Sequence, residues 1–126
     1  MRLLLLAAAG GAIGAGARHI INVIGARLLA PSFPWATLTI NVVGSIIMGI
    51  LIAALSRRQA PALELRTFLA TGILGGFTTF SAFSLEAVQL YERGAGAVAA
   101  LYVLGSVALS IGGLAAGAAL IRTGPL

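Results

Sequence analysis

The sequence predicts an all-α integral membrane protein with four transmembrane helices, the third broken at mid-membrane, and three observations point there. Hydrophobic residues make up 60% of the chain and charged residues 9%, and mean hydropathy is +1.07; soluble domains carry about 25% charged residues. The 126 residues suffice for four crossings at about 20 residues each, with short connections. Inside one apolar segment, Gly72 to Phe83 gathers three glycines, two threonines, one serine and three phenylalanines in twelve positions. That is a poor recipe for an uninterrupted lipid-facing helix. Broken backbone at membrane depth survives only where protein buries it or it lines a polar cavity, since each unpaired N–H or C=O in hydrocarbon costs several kcal/mol.

The first span is expected over residues 3–29. Arg2 followed by leucines imitates a signal peptide, but apolarity continues past the leucine run, as it does in a span. Gly10 and Gly14 stand at the small-xxx-small spacing that lets two helix backbones approach closely. Arg18 and Asn22 share a face at i, i+4. Arg18 has two readings, a guanidinium reaching back to the interface or one lining an aqueous entrance. His19 has no Asp, Cys or second His near it and is read as an interface residue.

Pro31-Ser32-Phe33-Pro34 makes a turn, with Trp35 where an interfacial aromatic belongs. The second span is expected over residues 36–55. At 3.6 residues per turn Thr37, Asn41 and Ser45 stack on one face, flanked by Gly44 and Met48. Asn41 is the costly member, because its amide must find partners near mid-bilayer. It serves either as glue between helices or as a ligand in a polar pathway, and this span alone favours glue. Arg57, Arg58 and Pro61 end the span in a short loop.

The third span is expected over residues 63–91 with its break at 75–79. Glu64 near its start suits the helix macrodipole. Phe80 and Phe83 at i, i+3 share one side of the second half, and Glu86 follows one turn later. Two helix ends meeting at a break offer loose carbonyls, which suit a small cation, and free N–H groups, which suit an anion. Glu92, Arg93 and Gly94 form the next turn. The fourth span is expected over residues 97–121. Tyr102, Ser106 and Ser110 draw a hydroxyl stripe at i, i+4, i+8, and Gly113 and Gly117 form a second close-packing pair.

Composition excludes several function classes. The net charge of +5 comes from arginines alone, scattered near helix ends with no basic tract, so no nucleic-acid partner is expected. Cysteine is absent, which removes disulfides and thiolate metal sites. With no Asp, Lys or Cys, one His and three Glu, no acid–base pair or nucleophile–base set can be assembled. The GGxTT segment lacks the lysine and strand context of a phosphate loop. What remains is hydroxyls, one amide, phenyl rings with electropositive edges and an arginine around a polar seam. Those are donors for an anion.

Three segments carry a resemblance: Gly75-Gly76-Phe77-Thr78-Thr79-Phe80-Ser81-Ala82-Phe83-Ser84, Thr37-Leu38-Thr39-Ile40-Asn41-Val42-Val43-Gly44, and Gly10 through Arg18. In length, span count and motif order nearly the whole chain resembles the Fluc (CrcB) fluoride channels of bacteria, GGxTTFSxF being the most specific string. The resemblance implies an antiparallel, dual-topology homodimer in the bacterial cytoplasmic membrane, with two narrow fluoride pores and a central structural sodium ion. It implies that sodium is held by backbone carbonyls of Gly75 and Thr78 from both subunits, that Phe80 and Phe83 present ring edges along each pore, and that Asn41 supplies an amide donor. Tyr102, Ser106 and Ser110 become a hydroxyl track, with Thr79, Ser81 and Ser84 nearby, Glu86 close to the pore axis and Arg18 near the entrance. The family commonly has Thr where this chain has Ala82, one hydroxyl fewer. Arg2, Arg57, Arg58, Arg66 and Arg122 fall on one side against Arg27 and Arg93 on the other, a bias toward a single orientation.

Two other classes compete. A small four-helix drug/proton antiporter wants an acidic residue deep in its first span, and this first span has none. A non-conducting membrane assembly subunit would use its small residues for packing alone.

Overall fold

The computed structural model describes residues 1–58 and 63–124; Pro61, read above as part of a loop, lies outside the described residues. Those residues are all helix and turn. Their elements are α1 (Arg2–Leu28), α2 (Trp35–Ser56), α3 (Leu63–Arg66), a π-helical segment Thr67–Leu74, α4 (Gly75–Phe77), α5 (Phe80–Glu92) and α6 (Gly96–Thr123). α1, α2, the composite Leu63–Glu92 and α6 are each long and apolar enough to cross a membrane. This is a multi-pass membrane protein.

Apolar side chains that would be a liability in water cover the outside. Leu4, Leu101, Leu104 and Ile111 are 65%, 67%, 70% and 67% exposed, which suits a lipid-facing surface where hydrocarbon is the solvent. Apolar burial between helices gains little in lipid, so close backbone packing has to hold the bundle. The glycines do this. α1 lies along the first half of the third span, and a Cβ on Gly10 would come within 2.5 Å of the Phe68 carbonyl and 2.9 Å of Gly72 Cα. On Gly14 it would collide with the Ile73 carbonyl, and on Gly76 with the Gly11 backbone. α2 lies along α6 in the same way: Gly113 faces the Ile46 side chain, Gly117 faces the Ile46 carbonyl, and Gly49 abuts Leu114. The small-residue spacings seen in the sequence are thus the seams of the bundle.

The break occupies only the last two positions of the expected 75–79. Gly75 has φ −64° and ψ −37°, and the helix continues through Phe77. Only Thr78 (φ −75°, ψ 158°) and Thr79 (φ −150°, ψ 122°) leave helical geometry. Gly72 and Gly76 are required by the α1 contact rather than by the break. The π-helical segment before it, a form that recurs at functional sites, had no sequence signature.

Polar contacts tie the helix ends. The Arg57 guanidinium donates to the carbonyls of Arg122 (3.2 Å) and Gly124 (3.4 Å), placing a cation on the negative end of α6. Arg2 pairs with Glu64 at 2.9 Å, with both side chains exposed, a pair worth about 1 kcal/mol at most. Both contacts sit at the end of the bundle where the sequence reading placed the five arginines.

Candidate functional site

The break is built by a side chain from another helix. The Asn41 amide on α2 lies against the Thr79 peptide: Nδ2 donates to the Thr79 carbonyl at 2.9 Å, and the Thr79 N–H donates to Oδ1 at 2.8 Å. One amide thereby pairs with both the N–H and the carbonyl of Thr79, and gives that N–H the partner it lost when the helix broke, whose absence in hydrocarbon would cost several kcal/mol. Thr79 Oγ1 then accepts from the Ala82 N–H at 3.2 Å and caps α5. Thr78 closes the other half, its N–H and hydroxyl both donating to the Leu74 carbonyl at 3.0 and 2.9 Å. Gly44 leaves the room this needs, since a Cβ there would strike the Thr78 methyl and the Phe77 ring.

These bonds free particular carbonyls. In a continuous helix the Thr79 N–H would bond the Gly75 carbonyl and the Ala82 N–H that of Thr78. Asn41 has taken the first donor and the Thr79 cap the second. The Gly75 and Thr78 carbonyls are left without their helical donors, at the negative end of a half-helix.

Beside the break is a cleft of about 500 Å³ whose polar lining comes from Asn41, Ser45, Thr78, Thr79, Ser106 and Ser110, with Phe80 and Phe83 among its apolar walls. No charged side chain lines it. Phe80 and Phe83 stand with ring centroids 5.4 Å apart at 49°; Phe83 is 8% exposed whereas Phe80 is 78% exposed. Ser106 is buried, and its Oγ is the one buried side-chain polar atom among the described residues without a hydrogen-bond partner. Such a group ordinarily costs about 1–3 kcal/mol, so it calls for an explanation. Asn41, with one N–H to spare, Ser106 and Ser110 are donor-bearing residues of that lining.

A second cleft, of about 720 Å³, opens at the end of the bundle where α1 joins α2, and it reaches Glu86, Gln89, Phe33 and Asn22. Between the clefts Glu86 accepts from Thr37 Oγ1 at 2.8 Å and from the Tyr102 hydroxyl at 2.7 Å. Tyr102 is 0% and Thr37 2% exposed. Thr37 was legible as a neighbour of Asn41 on the α2 stripe, but its role as a Glu86 donor was missed. Tyr102 meets Glu86, and Ser106 and Ser110 meet the inner cleft, so the hydroxyl stripe is divided between two surroundings.

The remaining expected residues are less engaged. Ser84 Oγ donates to its own helix at the Phe80 carbonyl, 2.8 Å away, the ordinary use of a membrane-helix serine. Ser81 Oγ lies 3.3 Å from Thr79 Oγ1 on the exposed side of α5. Arg18 is half-buried on α1 and lines neither of the two clefts. Among the described residues no cluster of three or more His, Cys, Asp or Glu is present.

A family model described as "CrcB-like protein, Camphor Resistance (CrcB)" matches residues 5–118. The chain belongs to the CrcB family. It is 56% identical over 118 residues to the "Fluoride-specific ion channel FluC" of Rhodopseudomonas palustris, covering 94% of this chain and 95% of that one. It is 51% identical over 117 residues to the protein of that name from Agrobacterium fabrum, covering 93% and 94%. To that from Rhodospirillum centenum it is 53% identical over 123 residues, covering 98% of both. These CrcB relatives are named as channels, so the family is one of non-enzymes, in keeping with the missing acid–base inventory.

Proposed function

We propose that this protein is a fluoride-selective channel that lets cytoplasmic fluoride leave passively through narrow pores at the interface of an antiparallel homodimer in the bacterial cytoplasmic membrane. The observation that carries the reading is the inner cleft. Its donors are the Asn41 amide and the Ser106 and Ser110 hydroxyls, it has Phe80 and Phe83 in its wall, and it has no carboxylate. The aromatic ring carries a positive edge, and a hydroxyl with no protein partner is a donor kept for something else. Relatives sharing half or more of the residues are named for fluoride.

A second subunit is supported by what one chain leaves uncovered. Phe80 is 78% exposed beside a polar break, and a Cβ on Gly75 would meet only the Ala70 carbonyl, at 3.5 Å. Nothing within the subunit requires glycine there. A partner's backbone approaching on that side would. Passive movement is supported by the state of Glu86, the carboxylate nearest the cleft, which is held by two donors within the bundle.

A pore lined by neutral donors gains from a fixed positive charge nearby, and a sodium ion would supply that charge. The freed Gly75 and Thr78 carbonyls fit such an ion, being hard oxygen ligands at a half-helix C-terminus. One chain offers too few to enclose it, so two breaks meeting would complete the shell. Exhaustive sodium removal is therefore expected to lower fluoride flux or dimer stability, and Gly75→Val is expected to elute as monomer. Unchanged flux in sodium-free buffer together with a dimeric Gly75→Val would leave the break as helix packing.

Ser106→Ala separates pathway from packing. Removing an orphaned buried hydroxyl should leave stability equal or raise it by about 1 kcal/mol, whereas fluoride flux should fall. Thermal melting and flux on one preparation measure both.

The experiment for the function itself is retention in cells. After a fluoride challenge, cells expressing the protein should hold less fluoride than cells lacking it. Equal retention would count against the channel reading.

A further inference from the structure

The two clefts of this bundle share no lining residue, but one ring from each lining, Phe33 and Phe83, packs on the same tyrosine, Tyr102. Phe83 and Ser106 line the inner cleft, and Phe33 and Glu86 line the outer one. Tyr102 lines neither. Its ring packs on both Phe83 and Phe33, with centroids 5.2 Å and 5.5 Å away, and its hydroxyl is bonded to Glu86, which also holds Thr37. What separates the two linings is therefore the Thr37–Glu86–Tyr102 knot, with Phe33 and Phe83 both packed on the tyrosine ring.

Phe33 reaches this place from a loop. It follows Pro31 and Ser32 and precedes Pro34, so its position is set by a proline-restricted turn that α2 carries. The Trp35 N–H donates to the Phe33 carbonyl at 2.9 Å, and the two rings tilt together with centroids 4.5 Å apart. Phe33 meets Tyr102 at 85°, the edge-to-face arrangement that aromatic quadrupoles favour over a parallel stack. A leucine could fill similar space, but it would not impose that orientation.

We propose that Phe33 is a positioning residue for the ion pathway: by holding the Tyr102 ring edge-to-face it keeps the tyrosine hydroxyl on Glu86 and fixes the width of the wall between the two clefts. The inference rests on the fluoride-channel reading of the inner cleft. A fixed wall discriminates by size, and chloride is the larger halide. Freed from Phe33, Tyr102 can rotate away from Glu86, and the wall then yields to chloride.

The test measures fluoride and chloride efflux from liposomes holding the purified full chain, and compares the ratio of the two rates. Phe33→Leu and Phe33→Met keep apolar bulk while removing the ring, and either one that elutes like wild type serves. The fluoride-to-chloride ratio should fall by about three- to tenfold, the range an aromatic pair can supply. Phe33→Tyr, which keeps the ring, should retain the ratio. In a Tyr102→Phe background, where the hydroxyl is already gone, Phe33→Leu should add no further fall, because both changes act through one bond. Wild-type fluoride release with an unchanged ratio in the ring-less variants overturns this inference alone. So does an equal further fall in the double variant. Wild-type liposomes that release no fluoride overturn both this inference and the reading beneath it.

Discussion

Asn41→Asp is expected to abolish fluoride flux and to weaken the fold in the same step. The Asn41 amide donates to the Thr79 carbonyl and accepts from the Thr79 N–H. A carboxylate keeps the second bond, but it turns the first into oxygen facing oxygen at 2.9 Å. It also puts a negative charge into a cleft lined by no charged side chain. Uncompensated buried charge costs about 3–5 kcal/mol, and in a low-dielectric pathway the same charge repels an anion. Protonation relieves the charge but leaves one donor where the amide had two. Asn41→Ala is the informative companion, since it removes the clasp without adding charge. It should lose stability by about 1–3 kcal/mol for the unpaired Thr79 N–H and lose flux too. Wild-type flux in a destabilised Asn41→Ala would assign Asn41 to packing alone.

Replacing Phe80 or Phe83 with Ile is expected to leave a folded protein with fluoride flux strongly reduced. The change keeps hydrophobic bulk near enough for packing and removes the electropositive ring edge. The structure sharpens what each variant reports. Phe83 is 8% exposed and packs on Tyr102, so its loss touches the core, and its flux must be read beside a melting curve. Phe80 is 78% exposed within the subunit, so no loss of subunit stability should accompany Phe80→Ile, and a fall in its flux reports on the ring. Full flux in both would return the pair to ordinary packing.

The features that were legible in the sequence are those with a local period. The Gly10–Gly14 and Gly113–Gly117 spacings marked the close seams because steric demand is written into residue size at i, i+4. The Thr37–Asn41 stripe was likewise visible, since a helix face repeats every 3.6 residues. Partners across the bundle were not visible. Asn41 meets Thr79 from 38 positions away and Thr37 meets Glu86 from 49, and no period connects them. The glycines also misled. Gly75 and Gly76 suggested backbone freedom at a break, whereas Gly76 serves the α1 contact and the chain leaves the helix at the two threonines, where side-chain oxygen can cap both halves. Spacing placed Phe80 and Phe83 on one side, but it could not tell that one is buried and the other bare.

The central claim is that a cleft lined by neutral donors and phenyl rings conducts fluoride, and the most direct measurement is fluoride release from liposomes containing only the purified chain. With fluoride trapped inside and a potassium ionophore to balance charge, a fluoride electrode should record rapid release through wild-type protein. Chloride trapped in parallel should stay inside. Fluoride release no faster than from protein-free liposomes, or equal release of the two halides, would contradict the account.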